Sequence, residues 1–202
     1  MSGATPALGD RAASATVEAS AELVNAGKTA AAGVAVTFEL FDADGNLAGK
    51  ASPAKAIPVP AATSTSVPAK ASSGTVSIAV GHGGVVELWS VARPYLYTLV
   101  VTLSSGDSKN VSIGLYSTKW TGDQGFFLND QHVKIRGFCN HESFGGVGMA
   151  IPDRVNLFRA QALRSVGANG WRTRPFGLVL TIISTLMHFW RACLSIERVL
   201  CT

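Results

Sequence analysis

The side chains whose types and order could do chemistry are concentrated in G-F-F-L-N-D-Q-H-V-K-I-R-G-F-C-N-H-E, Gly125 to Glu142. Val133, Ile135 and Phe138 lead past Gly137 into a polar cluster that ends at His141 and Glu142. A buried strand that ends in His-Glu is how a (β/α)8 barrel presents chemistry, because active sites sit where the strands stop. Arg136 in the same stretch, and Arg172 further on, supply permanently charged, forked donors that suit a carboxylate. The plainer role for Arg136 and Glu142 is a structural ion pair. After residue 133 the only carboxylates are Glu142, Asp153 and Glu197. His82 and His132 receive no role.

These residues need elements to hold them. Phe126–Leu128, the Asn129-Asp130 turn and Val133–Ile135 read as a β-hairpin. Ile151-Pro152-Asp153 opens a helix, with Asp153 as a capping or dipole-favourable carboxylate. Its apolar residues Val155, Phe158, Ala162, Leu163 and Val166 recur at helical spacing, and Gly167 is its C-cap. Ala168–Thr173 reads as the next strand. Strand, helix, strand makes one right-handed βαβ unit, and side chains at the ends of such strands are where a (β/α)8 barrel does its chemistry.

The first half alternates apolar and polar residues. Val17 to Leu23, Val34 to Leu40, Leu47 to Ala51, Val76 to Val80, Tyr95 to Leu103 and Lys109 to Tyr116 read as strands, with residues 52–73 a weak edge strand and loops. Six or seven short strands without a helical period indicate an immunoglobulin-like β-sandwich, here without a disulfide. The expected division is a flexible lead-in over 1–12, the sandwich over 13–117, the start of a barrel over 118–175 and an unmatched apolar tail over 176–202. Ser117–Gln124 reads as a linker. The fold class is therefore mainly β, a sandwich followed by the first βαβ unit of an incomplete barrel.

Three stretches resemble glycoside hydrolase family 2, most closely its β-galactosidases. Phe126–Glu142 is similar to the family's F-x-L-N-G-K-x-V-x-L-R-G-V-N-x-H-E. Leu88-Trp89-Ser90 with Pro94-Tyr95-Leu96-Tyr97-Thr98-Leu99 is similar to L-W-S-P-x-x-P-Y-L-Y-x-L, with Val91 in place of a proline. Gly167–Thr173 is similar to G-A-N-x-x-R-T. The resemblance implies a retaining glycosidase whose full-length parent cleaves a terminal β-galactoside through a glycosyl-enzyme intermediate. It implies that His141 hydrogen-bonds the sugar and that Arg172 orients a nucleophilic glutamate. Trp89, Tyr95 and Tyr97 are expected to pack rather than to stack on sugar. Retention needs two carboxyl groups about 5–5.5 Å apart. The family's first glutamate follows an asparagine, and this chain has no Asn-Glu pair. Glu142 alone cannot fill both roles, so this chain is expected to be inactive, with no catalytic residue of its own. The family's magnesium and sodium sites lie beyond the matched residues, so no cofactor or metal is expected. The competing expectation is a non-catalytic sandwich for binding or assembly.

Composition narrows the partners. At 47% hydrophobic and 15% charged residues the chain is globular rather than disordered. Lys and Arg number 8 against 10 Asp and Glu up to residue 133, then 9 against 3. The basic excess is scattered single arginines, which argues against nucleic acid. Cys139, Cys193 and Cys201 form neither a disulfide framework nor a zinc site. The N-terminus lacks a secretory signal, so the cytoplasm is expected. Asn110-Val111-Ser112 then reads as a chance sequon. Leu178–Trp190 is apolar for 13 residues, short of the roughly 20 that span a bilayer, which argues against a membrane. After Arg172-Thr173 the family continues S-H-x-P, where this chain has Arg174-Pro175-Phe176. The expectation is a parent sequence lost after Thr173 by frame change, an unspliced segment or truncation.

Overall fold

The computed structural model describes residues 9–62, 69–81, 85–139 and 143–172, without the side chains of Trp171 and Arg172. The chain is mainly β with one helix among these residues, and no closed barrel. It forms two compact units: Arg11–Glu87 with Leu96–Leu115, and Leu88–Tyr95 with 9–10 and 116–172.

The first unit holds β1 (Arg11–Ala12), β2 (Ala15–Ala19), β3 (Glu22–Asn25), β4 (Ala31–Val34), β5 (Val36–Phe41), β6 (Leu47–Ala51), β7 (Ile57–Val59), β8 (Ala69–Ser72), β9 (Val76–Val80), β10 (Val86–Glu87), β11 (Tyr97–Leu103) and β12 (Ser108–Ile113). Four of these form an antiparallel sheet in the order β12-β11-β5-β6. Alternation along β5 decides its faces: Val36, Phe38 and Leu40 are buried, while Thr37 and Glu39 point away. Glu39 meets Lys50 of β6 at 2.7 Å, an exposed pair of small worth. Phe38, Leu40, Ile78 and Val86 are the fully buried large side chains. Each stabilises by about 1.5–3 kcal/mol.

Two strands expected to be continuous are interrupted where they change partner. Val17–Leu23 divides into β2, paired with β9, and β3, paired with β8. At the break Ser73 substitutes for the ladder: its Oγ accepts from Ala21 N–H at 2.8 Å and its N–H donates to Ala21 O at 2.9 Å. Val34–Leu40 divides at Ala35 into β4, paired with β7, and β5, paired with β11. There Ser104 accepts from Ala35 N–H at 3.1 Å and donates its own N–H to Ala35 O at 2.9 Å. The supposed weak edge region over 52–73 supplies two of the partners, β7 and β8. The lead-in expectation fails at 9–12. Gly9 and Asp10 are buried, and Arg11–Ala12 pairs with β10, because Leu88 N–H and Asp10 O bond at 2.7 Å.

The second unit contains β13 (Thr118–Thr121), β14 (Gly125–Leu128), β15 (Gln131–His132), β16 (Gly137–Cys139), α1 (Asp153–Ser165) and β17 (Gly170–Arg172). The expected linker Ser117–Gln124 is thus mostly strand. β13 pairs with β14 because Gly125, at φ +82°, permits the tight return, and Thr121 Oγ1 accepts from Gln124 N–H at 3.2 Å. Asn129 and Asp130, at φ +51° and +60°, make the two-residue turn between β14 and β15. Two positive φ values give a twist that suits a hairpin. Val133–Ile135 is not a returning strand. The ladder ends after Val133 N–H bonds Phe126 O at 2.9 Å, and the next strand begins only at Gly137.

Helix α1 begins at Asp153 without a side-chain cap, so Asp153 serves the dipole rather than a capping bond. Its buried residues are Asn156 and Ala160. Phe158, Ala162 and Val166, of the apolar residues that recur at helical spacing, are exposed, Phe158 by 61% and Val166 by 70%. Phe158, Ala162 and Val166 share one stripe of the helix; Asn156 and Ala160 lie on another, and that one is covered.

The β5–β6 turn carries the clearest electrostatic feature. Partial burial works to raise the Asp42 carboxyl, but the Asn46 side chain and the N–H groups of Asn46, Asp44 and Gly45 outweigh it and hold it below its ordinary value. A depressed carboxylate stabilises the fold above its unfolded pKa, and the effect is lost as pH falls through the folded value. The Asp42→Ala variant should therefore unfold at lower urea than the parent at neutral pH, and the two should converge in strong acid. Gly49 tests the packing. A Cβ there would meet Ala79 O at 2.6 Å and Ile78 Cγ2 at 2.8 Å. Gly49→Ala should cost about 1–3 kcal/mol in urea titrations, the range of core overpacking.

Candidate functional site

Strands β16 and β17 run parallel, in the register Gly137↔Gly170, Phe138↔Trp171 and Cys139↔Arg172. The chain between them passes through α1, so they end at the same edge. Sequence and geometry cooperate in G-A-N-G, residues 167–170. Gly167 adopts φ +83° and ends the helix; its N–H donates to Arg164 O at 2.9 Å and Ala168 N–H donates to Leu163 O at 3.1 Å. This is a Schellman cap, satisfying carbonyls that the helix leaves open. Asn169 then turns to the other strand. Its Oδ1 accepts from Arg136 N–H at 2.7 Å, its Nδ2 donates to Lys134 O at 3.1 Å, and its own N–H donates to Arg136 O at 2.9 Å. Gly170 lets the strands close, since a Cβ there would sit 2.9 Å from Ile135 Cγ2.

The expected site residues distribute as follows. Arg172 closes β17 level with Cys139. Arg136 precedes β16, is exposed, and is held through its backbone by Asn169. It forms no ion pair among the described residues. His141 and Glu142 lie outside the described residues, as do the His82 loop and the 176–202 tail. Of the late carboxylates only Asp153 is described, at the start of α1. No group of three or more His, Cys, Asp or Glu could hold a metal among the described residues. Nor is any described helix long and apolar enough to cross a membrane.

Sequence reasoning missed the asparagines. Asn129 was read as a turn former, yet it is 5% exposed. Its Nδ2 donates to Trp89 O at 3.0 Å, and its Oδ1 accepts from Ser117 N–H at 2.9 Å. Its own N–H donates to Ser117 O at 2.9 Å. One side chain thus joins the L-W-S stretch to the hairpin. Leu88–Tyr95 groups with the second unit, to which this bond belongs. Trp89 is buried and its ring lies 5.7 Å from that of Tyr116, in packing rather than on a sugar face. Tyr97 is also buried; its hydroxyl accepts from Glu87 N–H at 3.0 Å and donates to Glu87 O at 3.2 Å. The available signal was position: each asparagine sits where a ladder stops, where backbone groups need a partner.

Comparison with known proteins gives this arrangement its context. The family model for glycosyl hydrolases family 2 matches residues 3–115, more than half of the chain. The chain belongs to that family. A β-galactosidase of Bacteroides ovatus is 33% identical over 90 residues, 43% of this chain and 11% of that protein. A β-glucuronidase of Streptococcus agalactiae is 33% identical over 95 residues, 45% of this chain and 16% of that protein. The crystal structure of a Bacteroides uniformis β-glucuronidase superposes with a TM-score of 0.72 at 23% identity, over 95% of this chain and 22% of that one. A family 2 member from Bacteroides cellulosilyticus gives 0.68 at 22% identity, over 90% and 23%. At that identity the structural likeness speaks for the fold. The matches span between a tenth and a quarter of the relatives' length.

Removing the Asn129 side chain would leave the buried Trp89 C=O and the part-buried Ser117 N–H without this partner, at about 1–3 kcal/mol for the buried group and less for the other. Asn129→Ala should lower the urea-unfolding free energy of the second unit, followed by tryptophan fluorescence, by about 1–3 kcal/mol. Asn129→Gly should recover only the part due to backbone strain. A loss below about 0.5 kcal/mol would contradict the buried clamp.

Proposed function

We propose that this chain is the immunoglobulin-like sandwich and the opening βαβ unit of a retaining glycoside hydrolase whose full-length parent cleaves terminal β-galactosides. The observation that carries the reading is the parallel pair β16–β17, with α1 between its strands and Arg172 at its end, following the family-matched region. In a barrel, the exposed stripe of Phe158, Ala162 and Val166 would be covered by a neighbouring helix. In the parent, Arg172 would orient and keep ionised the nucleophilic glutamate, and His141 would hydrogen-bond the sugar so that charge in the transition state is stabilised. Arg136 and Glu142 would support the barrel mouth rather than touch substrate. Partners beyond the glycan, such as nucleic acid or a membrane, form no part of this reading, and no cofactor is assigned.

Retention needs one carboxyl as acid and base and a second as nucleophile. After residue 133 the carboxylates are Glu142, Asp153 and Glu197; with Asp153 at a helix start and Glu197 in the tail that does not resemble the family, Glu142 alone would have to fill both roles. The 202-residue chain should release no nitrophenol above background from nitrophenyl β-galactoside or β-glucuronide. Turnover that survives repurification would overturn the inactivity. For the parent, the same two substrates separate a galactosidase from a glucuronidase, and an initial β-anomer seen by NMR distinguishes retention from inversion.

A further inference from the structure

We propose that Asn169 is a positioning residue for the site described above: by holding the backbone of Lys134 and Arg136 it sets the parallel register that brings Cys139 level with Arg172. The catalytic meaning of this register rests on the glycosidase reading. The register itself does not.

The β16–β17 ladder has only three residue pairs, the first of them Gly137 with Gly170. Two glycines offer no side chains with which to lock a register. A slip of two residues would preserve the faces and displace the strand end by about 6.6 Å, at about 3.3 Å per residue. Arg172 would then stand well away from Cys139, beyond the reach of a hydrogen bond across the strands. With so few pairs, bonds beside the ladder help to fix the register: Gly170 N–H reaches Arg136 O at 3.2 Å, and the Asn169 amide adds an acceptor and a donor aimed at different residues. Oδ1 takes Arg136 N–H at 2.7 Å and Nδ2 reaches Lys134 O at 3.1 Å. The backbone of Asn169 adds a bond from its N–H to Arg136 O at 2.9 Å. Only a group carrying one acceptor and one donor at that spacing satisfies both ends. The Schellman cap at Gly167 delivers the asparagine at a fixed distance from the helix end.

The test uses the full chain with Cys193 and Cys201 changed to serine, and nitroxide labels on Cys139 and on R172C. Dipolar broadening in the electron spin resonance spectrum is strong when the labels sit on neighbouring strands and falls away when the strands slip or part. No activity is read. With Asn169 present, broadening should be strong and unchanged between mild acid and neutral pH. In Asn169→Ala it should be lost. Asn169→Asp is the decisive variant. Its protonated carboxyl has an acceptor and a donor in the shape of the amide, whereas the ionised form has acceptors only and repels Lys134 O. The bonded form is the protonated one, so the folded pKa is raised; broadening should be present in acid and disappear as pH rises through that value. The proposal is overturned if Asn169→Ala retains full broadening, or if Asn169→Asp gives the same spectrum at both ends of the range. A parent that cleaves no glycoside would sink the functional reading and leave these spectra as they are.

Discussion

A backbone N–H or C=O must find a partner wherever a ladder or helix stops, and this structure depends on how that requirement is met. Antiparallel pairing accounts for most of the first unit. At the interruptions Ser73 and Ser104 each complete two bonds that the ladder drops. In the second unit two asparagines do more. Asn129 closes a buried junction between three chain segments, and Asn169 ties the start of one parallel strand to the approach of the other. An amide suits these places because it presents both a donor and an acceptor on a short stem and tolerates the left-handed backbone.

From that constraint the candidate site follows. The helix ends at Gly167 because only a residue without a Cβ accepts φ +83° cheaply. Asn169 engages the other strand two residues later, Gly170 permits the close approach, and Arg172 falls at the shared strand edge. Four positions within six residues, 167 to 172, thus perform four different tasks. What the arrangement supplies is a fixed backbone position for Arg172 beside Cys139. The exposed ion pairs Arg11–Glu87, Lys50–Glu39 and Lys70–Glu22, by contrast, decorate strands that hydrophobic burial already holds.

Much of this was legible beforehand. The alternation Val36, Phe38, Leu40 predicted both the strand and its buried face. The Asn129-Asp130 turn, the Gly167 cap and the strand–helix–strand order were also read correctly, and three short stretches pointed to family 2. The errors share a cause. Thr118–Thr121 was taken for a linker because its pairing depends on a glycine four residues beyond its end. The spacing of Phe158 and Val166 identified the helix but could not tell which of its stripes meets a neighbour. Leu88–Tyr95 was assigned to the surrounding strands because nothing in that segment reveals that Asn129, forty positions later, bonds to Trp89.

The chain's own residues determined the local periods, the turns whose φ values need glycine or asparagine, the shortage of late carboxylates and the resemblance to a sugar-cleaving family. Those properties are set by neighbours within a few positions. Tertiary structure alone decided where strands change partner, which side of the helix is covered and how Cys139 comes to lie level with Arg172. Each of these is a contact between distant segments, and hydrogen bonds of that kind leave no period in the sequence by which to find them.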